Sequence, residues 1–368
     1  MADAILLVGG QGSRLRPLTL TTPKPLLPVA GVPFLRHPLS LLASAGIEHA
    51  VLATSYRTEL FRDALAAWPG PPNVEYAAEE SPLGTGGAVR NALEVLTSSR
   101  PHGTSVLVLN GDQLSGLDYA ALLAAHAERE ADVTVHLIPV PDARAYGSVV
   151  MDSTGRILEF HEKSPRPPSN LVNAGTYVFR REVLGEIPTG RPVSMEREVF
   201  PALAASARRI LGHVATPYCM DIGTPSTYVS VCADLVTGVA PTGALPGPAG
   251  EALVLPGASV AASAVLTGGT TVGAGAVVGA GALLDGAVLF DGATVGAGAV
   301  LRRCVLGHAS TVGMDSVIED VLIGDGAAVG ARNELRAGLR VWPGVTLPDG
   351  ALGFSPERGQ SPGRAAAG

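Results

Sequence analysis

The sequence predicts an α/β domain on a Rossmann-like, doubly wound, mainly parallel sheet, followed by a parallel β-helix of hexapeptide repeats. Three observations carry this expectation. Short apolar runs alternate with amphipathic runs as far as about residue 235. Residues 238–250, GVAPTGALPGPAG, are almost wholly Gly, Pro, Ala and Thr, the composition of a linker. Beyond them an aliphatic residue recurs about every six positions, as in VGAGAV and VLIGDG.

In chain order, the strand candidates are AILLVGG, HAVLATS, NVEYAAE, SVLVLNGD, DVTVHLIPV, SVVMD and AGTYVF. Between them, PFLRHPLSLLASAG, YRTELFRDALAAW and GGAVRNALEVL carry the helical period. Strands alternating with helices give a parallel sheet whose ligands sit at the carboxyl ends of the strands. The expected domains are residues 1–237, a linker at 238–250, the repeats at 251–348, and a disordered tail at 349–368. The repeat register slips around Leu284 to Asp291 and again near Arg302, which predicts coils with short insertions.

Composition narrows the function. Lys and Arg total 26 against 33 Asp and Glu, a net charge of −7, so a nucleic-acid partner is not expected. No stretch reaches the roughly 18 apolar residues of a membrane span, and the N-terminal apolar run is too short for a signal peptide. The three cysteines, Cys219, Cys232 and Cys304, form neither a disulfide framework nor a zinc site, which fits a reduced, cytoplasmic setting. Only two lysines occur among the cations, Lys24 and Lys163. Where Arg is the default cation, a retained Lys suggests that a compact ammonium is needed.

GGQGSRLRP follows the first strand. Gly9, Gly10 and Gly12 allow tight turns and close approach of amide groups to phosphate oxygens. The segment lacks the third glycine of a dinucleotide fingerprint and the GK[ST] of a Walker loop. Arg14 follows it and can fork onto terminal phosphates, while Lys24 sits between two prolines, a cation placed to stabilise a transferring phosphoryl group. Asp112 in NGD and Asp221 in DIGTP each follow a short apolar run. Two carboxylates plus substrate phosphates suit Mg²⁺. Glu162 and Lys163, in EFHEKS, precede NAG at 173–175.

Together these pieces resemble the sugar-nucleotide pyrophosphorylases, the NDP-sugar nucleotidyltransferase family. The resemblance runs through GGxGxRLxPLT, PKPLxPVxGxPFL, PLGTGGA, NGD, AYGSV, EK, NAGTYVF, SMEREVFP and DIGTP into the repeats. PLGTGGA and SMEREVFP are most similar to mannose-1-phosphate guanylyltransferases with a C-terminal left-handed β-helix. The resemblance implies a nucleotidyltransferase fold. It also implies that Gly9, Gly10 and Gly12 hold the nucleotide, Arg14 meets the β and γ phosphates, and Lys24 meets the α-phosphate. Glu80 and Gly84 would lie beside the base. Asn110, Gly147, Glu162 and Asn173 would line the sugar pocket, Lys163 would meet the sugar phosphate, and Asp112 and Asp221 would bind Mg²⁺. Three departures stand out: EKS for EKP, Tyr218-Cys219-Met220 where a tryptophan is usual, and Val8 for alanine. The first two bear on the sugar side.

The expected reaction is in-line attack of a sugar 1-phosphate on the α-phosphorus of a nucleoside triphosphate, releasing pyrophosphate. The leading pair is GTP with mannose 1-phosphate. Other pairs keep the same chemistry: dTTP or ATP with glucose 1-phosphate, or a heptose or cyclitol 1-phosphate. The attacking phosphate is already ionised, so no His or Ser base is needed. Two readings of other classes compete. One is an acyltransferase using His308, the one histidine of the repeats. The other is a silent sugar-nucleotide sensor, which should have lost part of the Arg14, Lys24, Asp112, Lys163 and Asp221 set. The β-helix itself reads as an oligomerising element that makes a homo-oligomer.

Overall fold

A computed structural model describes residues 2–55, 57–66, 70–100, 104–161, 163–248 and 250–353. The chain divides into two compact units. The first comprises residues 1–253 with 268–271, and the second comprises 254–267 with 272–368.

The first unit is built on nine strands: β1 (Asp3–Leu7), β2 (His49–Thr54), β3 (Asn73–Ala78), β4 (Ser105–Asn110), β5 (Val133–Pro139), β6 (Ser148–Met151), β7 (Ile157–His161), β8 (Leu171–Arg180) and β9 (Ile210–Val214). The first four run parallel in the order β3-β2-β1-β4. Their alternate residues enter two separate cores. Ile5, Val51, Val106 and Val108 face one side, and Leu6, Leu52, Leu107 and Leu109 face the other. Burial on both faces explains why these strands read as continuous apolar runs. Helix α1 (Arg36–Ser44) covers one face with Leu39 and Leu42. Helix α3 (Gly84–Ser99), which follows α2 (Thr58–Leu65), covers the other with Val89, Leu93 and Leu96.

The parallel order is confined to this half and to β5–β9. Strand β8 is antiparallel to β4, β5 and β6, and β6 to β7. The short β6–β7 connection permits only an antiparallel pair, and β8 runs against each of its neighbours, so the sheet is mixed. The segment expected as a linker is held in this unit: Gly243 N–H donates to Ser40 Oγ at 2.9 Å, and His37 Nδ1 lies 2.7 Å from Thr242 Oγ1.

The second unit is a β-helix of three parallel sheets, the arrangement expected of a left-handed coil. Leu284, Leu301, Ile318 and Leu335 stack inside it, with Val278, Val295, Val312 and Val329 on the next side. Val265 pairs with Leu283 eighteen positions on, whereas Leu283 pairs with Val300, and Val300 with Val317, seventeen positions on. The register slips are therefore deletions, not the insertions expected from the sequence. At each shortened corner one residue turns with positive φ: Gly286, Arg303 or Asp320. Most of the expected tail, 354–368, and Glu162 lie outside the described residues.

Candidate active site

The carboxyl ends of β1 and β4 lie side by side, Leu7 in register with Asn110, at the point where the strand order reverses. Beyond β1 the chain runs through Gly9, Gly10 and Gly12 into a tight turn at Ser13–Leu15. Gly12 has φ 60°, and a Cβ there would lie 2.9 Å from Lys24 Cβ. The glycine is thus the joint that lets the loop close over the lysine segment, fastened by Thr19 Oγ1 donating to Gly12 O at 2.8 Å. Beyond β4, Asp112 accepts from Lys24 Nζ at 2.6 Å. The lysine side chain is 7% exposed and the aspartate 42%. A buried ammonium is held by a carboxylate that faces the cleft.

Asp221 arrives from far along the chain. A short antiparallel ladder joins Cys219–Asp221 to Gln113–Ser115, and Ile222 N–H donates to Asp112 O at 3.0 Å. Asp112, in the turn just before one of these strands, and Asp221, at the end of the other, thus sit beside the loop. A Cβ on Gly223 would overlap the Asp221 carboxylate and lie 2.9 Å from Arg14 Nη2. The glycine of DIGTP is the space into which both groups fit.

Two cavities meet at this point. One, of about 480 Å³, is bounded by Gly9, Gly10, Lys24, Ser55 and Glu79. The other, of about 880 Å³, is bounded by Arg14, Gly147, Lys163, Asn173 and Asp221. Gly84, Thr85, Asn110, Asp112 and Glu196 border both. A bulge in β8 shapes the second cavity between Asn173 and Tyr177, where Asn173 Nδ2 donates to Tyr177 Oη at 2.8 Å and its Oδ1 accepts from Gly175 N–H at 2.9 Å. The NAG motif is this bulge.

Of the described residues that the resemblance assigns to the site, all but Gly12 and Glu80 border one of these cavities. Glu80 is exposed, and its neighbour Glu79 borders the first cavity instead. Glu79 Oε2 accepts from Leu83 N–H at 3.0 Å, and partial burial raises its pKa above the usual carboxylate range. Strand alternation could have separated the two glutamates, because Glu79 N–H still bonds Thr54 O and extends the β3 ladder.

Thr85 and Glu196 were also missed. Thr85 Oγ1 donates to Glu196 Oε2 at 2.9 Å and accepts from Met195 N–H at 2.9 Å. Glu196 lies in a π-turn, Met195–Val199, capped by Ser194. Gly84, at φ 70°, approaches so closely that a Cβ would lie 2.6 Å from Val193 O. PLGTGG and SMEREV are therefore halves of one wall. His308 packs its ring against Phe290 at 5.0 Å on the β-helix.

The Nucleotidyl transferase family matches residues 3–238, and the GMPPB C-terminal domain family matches residues 249–348. The chain belongs to the nucleotidyl transferase family and is an enzyme of that class. It is 52% identical over 355 residues to a mannose-1-phosphate guanylyltransferase of Mycobacterium tuberculosis, covering 96% of this chain and 98% of that one. It is 37% identical over 231 residues to a mannose-1-phosphate guanyltransferase of Schizosaccharomyces pombe, covering 62% of each. Among solved structures it resembles HddC from Yersinia pseudotuberculosis complexed with GMP-PN. The TM-score is 0.53 with 28% identity, over 63% of this chain and 98% of that chain.

Enzymes of this family generally use a divalent metal ion. Among the described residues no group of three or more His, Cys, Asp or Glu converges as a metal cage. The pair Asp112 and Asp221 instead fits a hard cation that completes its shell with phosphates and water. Among the described residues no helix is long and apolar enough to cross a membrane.

Proposed function

We propose that this enzyme transfers a guanylyl group from GTP to mannose 1-phosphate, forming GDP-mannose and pyrophosphate. The observation that carries the reaction is the meeting of the two cavities at Asp112, with Lys24 fixed behind it. A nucleotide in the first and a sugar phosphate in the second would bring the α-phosphorus and the attacking oxygen together there. The identity to guanylyltransferases over nearly the whole chain supports the substrate pair.

Each residue then has a task. Gly9 and Gly10 offer backbone amides to the phosphates, Arg14 takes the β and γ groups, and Lys24 stabilises charge on the α-phosphate. Glu79 has one oxygen held by Leu83 N–H. Its other oxygen suits the N1–H and 2-amino donors of guanine, which supports GTP over bases lacking that edge. Glu80 stands outside this cavity, so Glu79 and Gly84 are the better base neighbours. Asn110, Gly147 and Asn173, with Glu162, would orient the sugar, and Lys163 would hold its phosphate. The P–O bond to the sugar phosphate forms as the bond to pyrophosphate breaks, and positioning supplies most of the rate. Asp112 and Asp221 would hold Mg²⁺, which when bound neutralises charge between the phosphates. The β-helix would join copies of the chain into a homo-oligomer in the cytoplasm; aliphatic side chains on its surface support the assembly.

The test is pyrophosphate release across a grid of four nucleoside triphosphates and several sugar 1-phosphates. GTP with mannose 1-phosphate should give the highest kcat/KM. Turnover of another pair without turnover of this one would overturn the assignment.

A further inference from the structure

Among the described residues, Asp112 and Glu196 are the acidic side chains that border both cavities. Glu196 stands on the five-residue π-turn Met195–Val199, where Val199 N–H reaches back to Ser194 O at 3.1 Å. Glu198 clamps this turn. Its Oε1 accepts from Ser194 N–H at 3.1 Å, and its Oε2 accepts from Arg191 Nη1 at 2.8 Å. Widened helical turns of this kind concentrate at functional sites.

The Glu196 carboxylate is held through one oxygen. Oε2 accepts from Thr85 Oγ1 and from Ser194 Oγ, each at 2.9 Å. Both hydroxyls are themselves anchored, because Thr85 Oγ1 accepts from Met195 N–H at 2.9 Å and Ser194 Oγ from Arg197 N–H at 3.2 Å. Among the described residues, Oε1 takes no hydrogen bond or ion pair. The charge reaches the second cavity: burial first, and then the Glu196 carboxylate, hold the Tyr177 hydroxyl above its usual pKa range. That hydroxyl accepts from Asn173 Nδ2 in the NAG bulge. A half-buried carboxylate is thus fixed by one oxygen and presents the other, an acceptor only, where the two cavities meet.

We infer that Glu196 reads the hydroxyl on C2 of the sugar. The inference rests on the reading that the second cavity holds the sugar phosphate and that attack occurs at the junction. In a sugar 1-phosphate the reacting group is carried by C1. Its two ring neighbours are the ring oxygen, which can only accept, and C2, which carries a hydroxyl. An ionised carboxylate at the junction can pair only with the second. The other groups that border both cavities are committed elsewhere. Gly84 has no side chain, Thr85 Oγ1 is engaged as donor and acceptor, and Asp112 holds Lys24. Asn110 Nδ2 is packed on Gly175, where a Cβ would lie 2.5 Å away. A hydroxyl donating to a carboxylate makes a short, charge-assisted bond. The two hydroxyls on Oε2 keep the carboxylate from following a donor that points the other way. Glu196 therefore separates the axial C2 hydroxyl of mannose from the equatorial one of glucose.

Initial rates with GTP test this on mannose 1-phosphate, its C2 epimer glucose 1-phosphate, and the 2-deoxy sugar 1-phosphate that lacks the C2 hydroxyl. The wild type should favour mannose 1-phosphate over either by about tenfold or more in kcat/KM, since a site built for a hydroxyl rejects the analogue without it. Glu196→Gln should narrow both preferences to about twofold, chiefly by slowing the mannose compound, with the KM for GTP unchanged. Thr85→Val, which removes one hydroxyl from Oε2, should narrow them in part, and Thr85→Ser should keep them. Equal losses on all three sugar phosphates would make Glu196 merely structural and overturn the inference. So would a higher KM for GTP with the preferences intact, or a wild type indifferent to the C2 hydroxyl. Should the wild type turn over a different sugar 1-phosphate, the mannose assignment fails. The same comparison between that sugar and its own 2-deoxy analogue then still decides the role of Glu196.

Discussion

In the proposed reaction, Lys24 and Asp112 concentrate the chemistry at the residue scale. Burying an ammonium costs several kcal/mol unless a partner compensates it, and Asp112 does so at 2.6 Å. The pair fixes the lysine where a phosphoryl group would pass, which is how electrostatic stabilisation acts without reorganisation. Lys24→Ala and Asp112→Ala should each lower kcat on the order of 10²-fold or more. Single-turnover kinetics check this, with thermal unfolding showing that the fold persists; near-normal rates in either variant would contradict these roles. The two adjacent glutamates make a sharper contrast. Glu79→Gln should raise KM for GTP by about tenfold, the scale of one lost charge-assisted hydrogen bond, while Glu80→Gln should leave it unchanged. Steady-state kinetics on the two variants decide, and equal effects would contradict the placement of Glu79.

At the scale of elements, α1 and the segment at 240–244 are joined through a histidine. His37 is fully buried, with Nε2 donating to Val29 O at 3.0 Å and Nδ1 facing Thr242 Oγ1. Burial lowers its pKa to about 4. In the unfolded chain it titrates near 6.5, so above that pH both states are neutral and the contribution is complete. As pH falls from 6.5 toward 4 only the unfolded state gains the proton, and stability is lost. The loss from this one group is on the order of 3 kcal/mol. Denaturant midpoints should therefore fall between pH 7 and pH 4.5, and His37→Gln should flatten that slope. An unchanged slope in the variant would show that His37 does not carry it. The wall formed by Gly84, Thr85, Val193 and Glu196 is the other element-scale device. It couples the start of α3 to a π-turn, so the two cavities share a border.

For the whole molecule, periodicity was the informative signal. Strands β1 to β4 were legible because burial on both faces makes them near-continuous apolar runs, and the β-helix because its coils must stack one aliphatic per side. Strands β7 and β9 were not legible. β7, ILEFH, carries an exposed leucine and glutamate, and β9, ILGHV, has a glycine at its centre. The lining of the two cavities was legible where the sequence pattern singled out a charged residue type: Lys24, Asp112, Asp221 and Lys163. That Glu79 and not Glu80 borders the first cavity was not legible, because two adjacent glutamates differ only in which way the strand turns them. Glu196 was missed because its partner Thr85 is remote in sequence, and single-chain patterns do not record such contacts.

The most direct test of the central assignment is product stoichiometry. The wild-type chain, supplied with GTP, mannose 1-phosphate and Mg²⁺, should form GDP-mannose and pyrophosphate in equal amounts, with no labelled protein intermediate from α-labelled GTP. Formation of GDP and orthophosphate instead, or label retained covalently on the protein, would contradict direct nucleotidyl transfer at the junction of the two cavities.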